Sequence, residues 1–364
     1  MTRLQRLFAE GGQSPWLNGL ERSAVRSGQL SEMVVAGIRG VVANPGYLAG
    51  ALSRSAAYDD QVASLRGRGL SAEDLYWELL IQDLGEALGA LWPIYDLSGG
   101  ADGVISVRIP PTLAEDKEGT MTTARYLHQQ IGKANLCVVV SATNAGVLAL
   151  REMTSEGHNV IVTGVFSLQR YQQVAEAYLS GLETCPGDLS DVHSVVLFSL
   201  SQVDAEMRRQ IFAQAAPGLP RLVGKAAVAQ AKLAYWAFCD LFSGPRWEAQ
   251  AVRGANPQRL AWASTSSLDR ARPDTFYIHH LIGPDTITLM DTATVAAFED
   301  RGTVARSVDQ GLEESAEILA RLQEAGIDLN SVGRKLENEH LSASTRAYEA
   351  AVAAVGARAA QLSS

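Results

Sequence analysis

Eight short runs of apolar and β-branched residues recur along the chain, with longer amphipathic stretches between them. Such continuous apolar runs are typical of parallel strands that are buried on both faces. Eight strand–helix units favour a closed (β/α)8 TIM barrel, and a doubly wound open sheet is the competing fold. The predicted strands are residues 15–20, 40–45, 103–110, 136–143, 159–166, 194–201, 260–265 and 286–290.

Helical patterns fill the segments between these runs. A serine N-cap and an acidic first turn predict a helix over 71–96. Gly326 is predicted to separate two helices in the charged region of about 308–362. Further helices are predicted over 120–132, 167–183 and 225–242. The length suits one large barrel, so we expect a single domain over 1–364 with additional N- and C-terminal helices.

Composition narrows the classes of partner. The formal net charge of −9 argues against binding nucleic acid or an anionic membrane, which requires clustered Lys and Arg. The chain has no signal-like start and no apolar run of the roughly 20 residues that span a membrane, so we expect a cytoplasmic protein. Its three scattered cysteines indicate neither a disulfide framework nor a zinc site. We expect no cofactor, no metal, a small-molecule substrate, and a monomer or homodimer.

Several segments are similar to the bacterial transaldolase family. They include SPWLNGLERSAVRSGQL (14–30), GVVANPGYLAGAL (40–52), SAAYDDQV (55–62), GGADGVISVRIPPTLAEDKEGT (99–120), the stretch 135–183, GKAAVAQAKLAY (224–235), NPQRLAWAST (256–265) and IGPDTITLMDTATVAAFEDRG (282–302). The resemblance covers nearly the whole chain in order. It implies a class I aldolase-type barrel with its site at the C-terminal ends of the strands.

The resemblance also implies a set of catalytic groups. In this family a strand-four lysine attacks a ketose carbonyl and forms an imine, which acts as an electron sink for C–C cleavage. A strand-one aspartate and a strand-three glutamate move protons. In this chain the corresponding positions are Val139, Asn18 and Arg108. The nucleophile and both proton-transfer carboxylates are therefore predicted to be absent.

Other positions of the family site are partly retained. Thr163 and Asn44 keep polar groups that hold substrate hydroxyls in the family, and Ser141 replaces a proline. The strand-five asparagine becomes Ile161, and the serine, arginine and basic residue of the phosphate site become Leu197, Gln202 and Leu268. We predict that the substrate-binding cavity is lined by Asn44, Val139, Ser141, Ile161, Leu197, Gln202 and Leu268, and that it is more apolar than in the family.

Neutral loss of the family's function would not explain an arginine at position 108, because a buried guanidinium needs a partner. The partner is predicted to be Asp291, Asp269 or a bound anion. The candidate catalytic residues are Arg108 and Asn18, with Thr163 and Asp291.

Two further sets of residues invite catalytic roles that the sequence does not support. Lys133 precedes a strand and is expected at the opposite rim, whereas Lys225 and Lys232 are expected on a helix outside the barrel. His279 and His280 are adjacent on a short helix, where neighbours face different directions, and are expected to be a surface pair.

These substitutions predict a repurposed enzyme that works without a Schiff base. Its substrate is expected to be a carbonyl-containing, relatively apolar small molecule, its reaction an aldol-type step, cyclisation or isomerisation, and its setting specialised metabolism. One alternative is a catalytically inactive barrel that serves as a binding or partner protein. A second alternative is a transaldolase of the pentose phosphate pathway that uses a displaced lysine.

Overall fold

The computed structural model describes residues 1–65, 68–214, 218–266, 268–269 and 272–362. Eight parallel strands close into a barrel in which each strand pairs with its neighbours in the sequence and β8 pairs with β1. The strands are β1 (Gln13–Asn18), β2 (Gly40–Val42), β3 (Val104–Arg108), β4 (Leu136–Ser141), β5 (Val160–Val165), β6 (Ser194–Ser199), β7 (Arg259–Ala263) and β8 (Thr286–Met290). The predicted (β/α)8 barrel is confirmed.

Helices surround the barrel and extend it at both ends of the chain. Within the described residues they are α1 (Arg3–Ala9), α2 (Arg22–Arg26), α3 (Gln29–Ala36), α4 (Pro45–Arg54), α5 (Asp59–Leu65), α6 (Ala72–Leu97), α7 (Lys117–Ile131), α8 (Asn144–Ser155), α9 (Leu168–Thr184), α10 (Ser201–Gln214), α11 (Ala226–Leu241), α12 (Gly244–Ala251), α13 (Phe276–His280), α14 (Thr292–Arg301), α15 (Leu312–Glu324) and α16 (Leu329–Gln361). Within the described part of the chain, no helix is long and apolar enough to cross a membrane.

Alternation along the strands divides the core into two layers, because successive strand residues point to opposite faces. The outward residues, such as Ile105 and Val138, pack against the surrounding helices. The inward apolar residues form one cluster inside the barrel: Trp16, Val42, Val104, Cys137, Val139, Ile161, Val195, Leu197, Ala261, Ala263, Ile287 and Leu289. The barrel interior is therefore a packed apolar core, and the candidate site residues lie beyond it, at the C-terminal ends of the strands.

Element boundaries follow local backbone chemistry. β1 ends at Asn18, two residues before the predicted end, because Gly19 takes a positive φ of 113°. β7 ends at Ala263 because Ser264 has φ 55°, which breaks the extended conformation. Gly326, at φ 78°, separates α15 from α16 as predicted.

The last helix, α16, places a second set of side chains over the C-terminal end of the barrel. Its Gly333 packs against Ser167, where an added Cβ would lie 2.8 Å from the Ser167 Cβ. Further along, Tyr348 packs edge-on against Tyr76 of α6, with 5.3 Å between ring centroids. The segment between these two contacts crosses the ends of β3 and β5.

Candidate functional site

The C-terminal ends of β3, β4 and β5 place polar side chains directly above the apolar interior. Arg108 pairs in register with Val139, and Ser141 pairs with Thr163. By the alternation along each strand, Arg108, Ser141 and Thr163 belong to the inward-facing set. They form the floor of the barrel mouth, which is where enzymes of this architecture carry out their chemistry.

The position that the family resemblance assigns to the lysine is fully packed. Val139 is 1% exposed and lies in β4 between Arg108 and Ile161. Ile161 and Leu197 are buried in the same internal cluster. All five lysines of the chain lie outside the eight strands: Lys117, Lys133, Lys225, Lys232 and Lys335. Within the part of the chain that the structure describes, the barrel interior therefore contains no primary amine.

Arg108 is a partly buried cation without a carboxylate partner within the described residues. Its Nη1 donates to Ser344 Oγ of α16 at 3.5 Å, and no ion pair reaches it there. Burial lowers the pKa of Arg108 to about 10, against a smaller opposite effect of Tyr76. A buried guanidinium in this state is costly, and an anion is the group that would offset the cost.

The carboxylates predicted to pair with Arg108 are engaged elsewhere, so the pairing with Asp291 or Asp269 is wrong, whereas the bound anion stays a prediction. Asp291 is the N-cap of α14: it accepts from the Thr294 backbone N–H at 2.7 Å and from Ser266 Oγ at 2.8 Å. Burial alone would raise the pKa of Asp291, but these hydrogen bonds lower it. Asp269 lies 3.9 Å from Arg272 Nε.

His340 of α16 is a site residue that the sequence did not reveal. Its Nε2 lies 3.5 Å from Thr163 Oγ1, and its ring packs edge-on against Phe166. Gly164 takes φ 81° in β5, and a Cβ there would lie 3.3 Å from the imidazole. Burial, followed by the charge of Arg108, lowers the pKa of His340 to about 4. The mouth therefore holds a neutral imidazole that can accept a proton.

A cavity of about 230 Å³ opens beside His340, between the loops that follow β4 and β5 and the N-terminal half of α16. Ser141 and Thr163 contribute to its wall. Arg170 Nη2 and Glu337 Oε2 form an ion pair of 3.1 Å across it, and Arg170 Nη1 donates to Asn144 Oδ1 at 3.2 Å. Its polar walls suit a hydroxylated or charged molecule better than an apolar one.

Three of the remaining predicted residues lie at the C-terminal end of a strand or in the few residues that follow one. Asn18 is partly exposed at the end of β1. Asn44 is exposed and caps α4, with its Oδ1 accepting from the Gly46 N–H at 3.1 Å. The Oε1 atom of Gln202 is buried and has no hydrogen-bond partner among the described residues.

Leu268 does not line the barrel interior, which corrects the sequence-based placement. Its side chain is 65% exposed. It borders a separate small cavity together with Asp204, Arg272 and Tyr277. The reason is the turn at Ser264, which ends β7 and carries the following residues away from the strand.

The two adjacent histidines have ordinary local partners. His279 Nε2 accepts from the Thr303 N–H at 3.1 Å, and His280 Nδ1 lies 2.8 Å from the Phe276 carbonyl. Within the described part of the chain, no group of three or more His, Cys, Asp or Glu residues could hold a metal ion.

Comparisons with known proteins agree with this architecture. The family model of Transaldolase/Fructose-6-phosphate aldolase matches residues 15–355. A protein named Transaldolase from Thermobifida fusca is 37% identical over 351 residues, which cover 95% of this chain and 95% of that protein. Transaldolase 1 from Streptomyces avermitilis is 37% identical, with 92% of this chain and 90% of that protein covered. A Transaldolase from Saccharopolyspora erythraea is 38% identical, with 94% of each covered.

These relatives overturn the predicted repurposing. The three relatives, which match more than nine tenths of this chain at 37–38% identity, are all named transaldolase. The prediction of a non-Schiff-base enzyme for an apolar carbonyl compound in specialised metabolism is therefore wrong. Its physical weakness was that it treated the loss of polar strand residues as the loss of a polar site, whereas α16 supplies new polar groups.

Proposed function

This chain belongs to the transaldolase/fructose-6-phosphate aldolase family, and we propose that it is a transaldolase, which moves a ketol fragment from a ketose phosphate to an aldose acceptor. The observation that carries the proposal is the match to proteins of that name over more than nine tenths of the chain. The proposal is the second alternative of the sequence analysis: a transaldolase of the pentose phosphate pathway whose lysine does not lie at the β4 position.

The proposed reaction needs an amine, a proton acceptor and an anion-binding group. The amine adds to the ketose carbonyl and water leaves, which gives an imine. The C–C bond then breaks, its electron pair enters the imine system, and the hydroxyl of the departing carbon loses its proton to a base. The resulting enamine attacks the acceptor aldehyde, and water releases the product and the amine.

We assign the base to His340. It is neutral near pH 7 because burial lowers its pKa to about 4, and it lies against Thr163 at the mouth. An anionic substrate beside Arg108 would favour the protonated imidazole and so improve it as a proton acceptor. Thr163 and Asn18 are proposed to donate hydrogen bonds to substrate hydroxyls.

We assign the substrate phosphate to Arg108. A phosphate would supply the negative charge that this buried guanidinium lacks among the described residues. Arginine binds phosphate through paired N–H donors, so Arg108 could serve as the anion-binding group that the reaction needs. The anion-binding group would then have moved from the strands β6 and β7, where the family has it, to β3.

The amine is assigned to Lys335 of α16. On the same helix, Arg334 and Glu337 line the mouth cavity, and the neighbouring Lys335 side chain is 41% exposed. Its Nζ lies 2.7 Å from Glu206 Oε2 and 3.6 Å from Glu339 Oε1. These ion pairs must break before the amine can attack a carbonyl, so the proposal includes a movement of this side chain.

A transfer assay tests the function. The purified full chain is incubated with fructose 6-phosphate and an aldose phosphate acceptor, and the products are followed by ¹³C NMR. We expect transfer by the wild type, loss of at least about 10³-fold in rate in Lys335→Met, and wild-type rates in the control Lys117→Met, whose lysine pairs with Glu152 at 2.7 Å. Absence of transfer above the buffer rate would contradict the proposal.

A non-catalytic binding barrel is the second candidate, and one observation favours it. The inward position on β4 is a packed valine, so a sugar phosphate in the mouth meets no amine on the strands. A rise in Tm with fructose 6-phosphate, without any transfer, would identify this function.

A further inference from the structure

A second cavity lies at the opposite, N-terminal end of the barrel, and it has about 500 Å³ of space against about 230 Å³ at the mouth. Arg39, which precedes β2, and Arg259, the first residue of β7, reach into it from two sides. Both guanidinium groups are largely buried, at 16% and 13% side-chain exposure. Two cations in one partly enclosed space need counter-charge or hydrogen-bond acceptors.

Asp102 supplies one full negative charge between the two arginines. Its Oδ2 accepts from Arg39 Nε at 2.7 Å and from Ser14 Oγ at 2.7 Å. Its Oδ1 accepts from Arg259 Nη1 at 3.1 Å and from Trp16 Nε1 at 3.0 Å. Four donors therefore converge on Asp102, and its carboxylate has little capacity left for further bonds.

The two arginines differ in how well they are satisfied. Arg259 also donates to the carbonyls of Ala101 and Thr286 and to Ser14 Oγ, so both of its Nη groups are used. Arg39 has only its Nε bonded: within the described residues, neither of its Nη groups has an acceptor. One guanidinium edge with two donors is thus left open.

The surroundings of that open edge are apolar on one side and polar on another. The Phe8 ring covers one face of Arg39, with 3.6 Å from Cζ to the ring centroid. Leu97 and Pro257 continue the apolar wall. His193 lies on the polar side: it is 8% exposed, and its Nε2 has no hydrogen-bond partner among the described residues.

We propose that this cavity is a binding site for a small organic carboxylate with an apolar body, held by the two free Nη groups of Arg39. A carboxylate matches the paired donors of a guanidinium edge. Asp285 is exposed at the rim and adds a negative charge, which favours a monoanion over a dianionic phosphate. Phe8 and Leu97 then cover the apolar part of the ligand. The site is independent of the reaction proposed at the mouth.

The probe is p-bromobenzoate, titrated calorimetrically into the full chain at constant ionic strength. We expect binding by the wild type, a Kd raised at least about tenfold in Arg39→Gln, and an unchanged Kd in Arg54→Gln. Arg54 is the matched control, because it is 63% exposed and pairs with Glu21 instead. Equal affinity of the wild type and Arg39→Gln would overturn the proposal.

A crystallographic measurement keeps the test valid if Arg39→Gln does not fold. Wild-type crystals soaked in p-bromobenzoate should give an anomalous bromine peak in the cavity beside Phe8, with the carboxylate on Arg39. A bromine peak only at other places, or no peak at a soak concentration above the measured Kd, would overturn the assignment.

Discussion

The arginines at the two ends of the barrel differ in their hydrogen-bond partners. At the N-terminal end, Asp102 accepts hydrogen bonds from Arg39 and Arg259. At the C-terminal end, Arg108 meets only the Ser344 hydroxyl within the described residues. In the first arrangement one carboxylate bridges two arginines, whereas in the second a partly buried arginine has no carboxylate partner among the described residues.

The difference affects the stability of the fold. Burial of a charge costs several kcal/mol unless a partner compensates it, so an uncompensated Arg108 destabilises the fold in the absence of a ligand. The N-terminal cluster joins β1, β7 and the loop before β3. At the mouth, Arg108 has no carboxylate partner among the described residues.

Asp102→Asn should have the largest effect on stability. The substitution leaves Arg39 and Arg259 without a negative charge, and we expect the free energy of unfolding to fall by about 3–5 kcal/mol. Urea unfolding at pH 7 measures it. The control is Asp285→Asn at the exposed rim of the same end, expected to change stability by less than about 0.5 kcal/mol. A loss below 1 kcal/mol in Asp102→Asn would mean that the cluster does not stabilise the barrel.

Leu197→Ala should cost about 2–4 kcal/mol, because it opens a cavity in the barrel interior. Leu268→Ala is the matched control: that leucine is 65% exposed, and we expect a change within about 0.5 kcal/mol. The same urea experiment compares the two. Equal losses would contradict the placement of Leu268 outside the interior.

His340 should make stability depend on pH. Its pKa is about 4 in the folded chain, against about 6.5 in the unfolded chain, so only the unfolded chain takes up a proton between these values. Stability is therefore lost as pH falls from 6.5 towards 4. Relative to His340→Gln, the wild type should lose about 2 kcal/mol between pH 7.5 and pH 4.5.

Thermal and urea unfolding at both pH values measure the effect of His340. Both states hold the imidazole neutral at pH 7.5, so the difference there isolates the packing contacts. An identical pH dependence of the two proteins would show that His340 is not buried in the neutral form.

Arg108→Met should produce the smallest change and one of opposite sign. Removal of a partly buried cation without a carboxylate partner is expected to raise the free energy of unfolding by about 1–2 kcal/mol. The variant should also lose the rise in Tm that fructose 6-phosphate gives the wild type. A clear loss of stability would indicate that Arg108 has a compensating partner. The exposed Arg54→Met serves as the control and should match the wild type.

The strands were predictable because burial on both faces leaves continuous apolar runs. The ends of the strands were harder to predict, because Gly19 and Ser264 end strands by adopting positive φ angles, which a pattern of apolar residues does not indicate. The role of Asp291 was readable: an aspartate that begins a helical stretch is a common N-cap, and this favours a capping role over a pair with Arg108.

The mouth could be predicted only in part. Side chains on the strands follow from the alternation, and the structure accordingly places Val139, Ile161 and Leu197 in the interior. The contributions of α16 did not follow, because nothing local in the sequence says which face of a C-terminal helix meets a barrel formed far earlier in the chain. His340 and Ser344 were missed for this reason.

The most direct test of the central claim is chemical trapping of the imine. The full chain is incubated with fructose 6-phosphate and sodium borohydride, and the intact mass and peptide map are then measured. We expect one reduced ketose adduct per chain, on Lys335, and its loss in Lys335→Met. An unmodified mass under conditions that fully label an active transaldolase would contradict it.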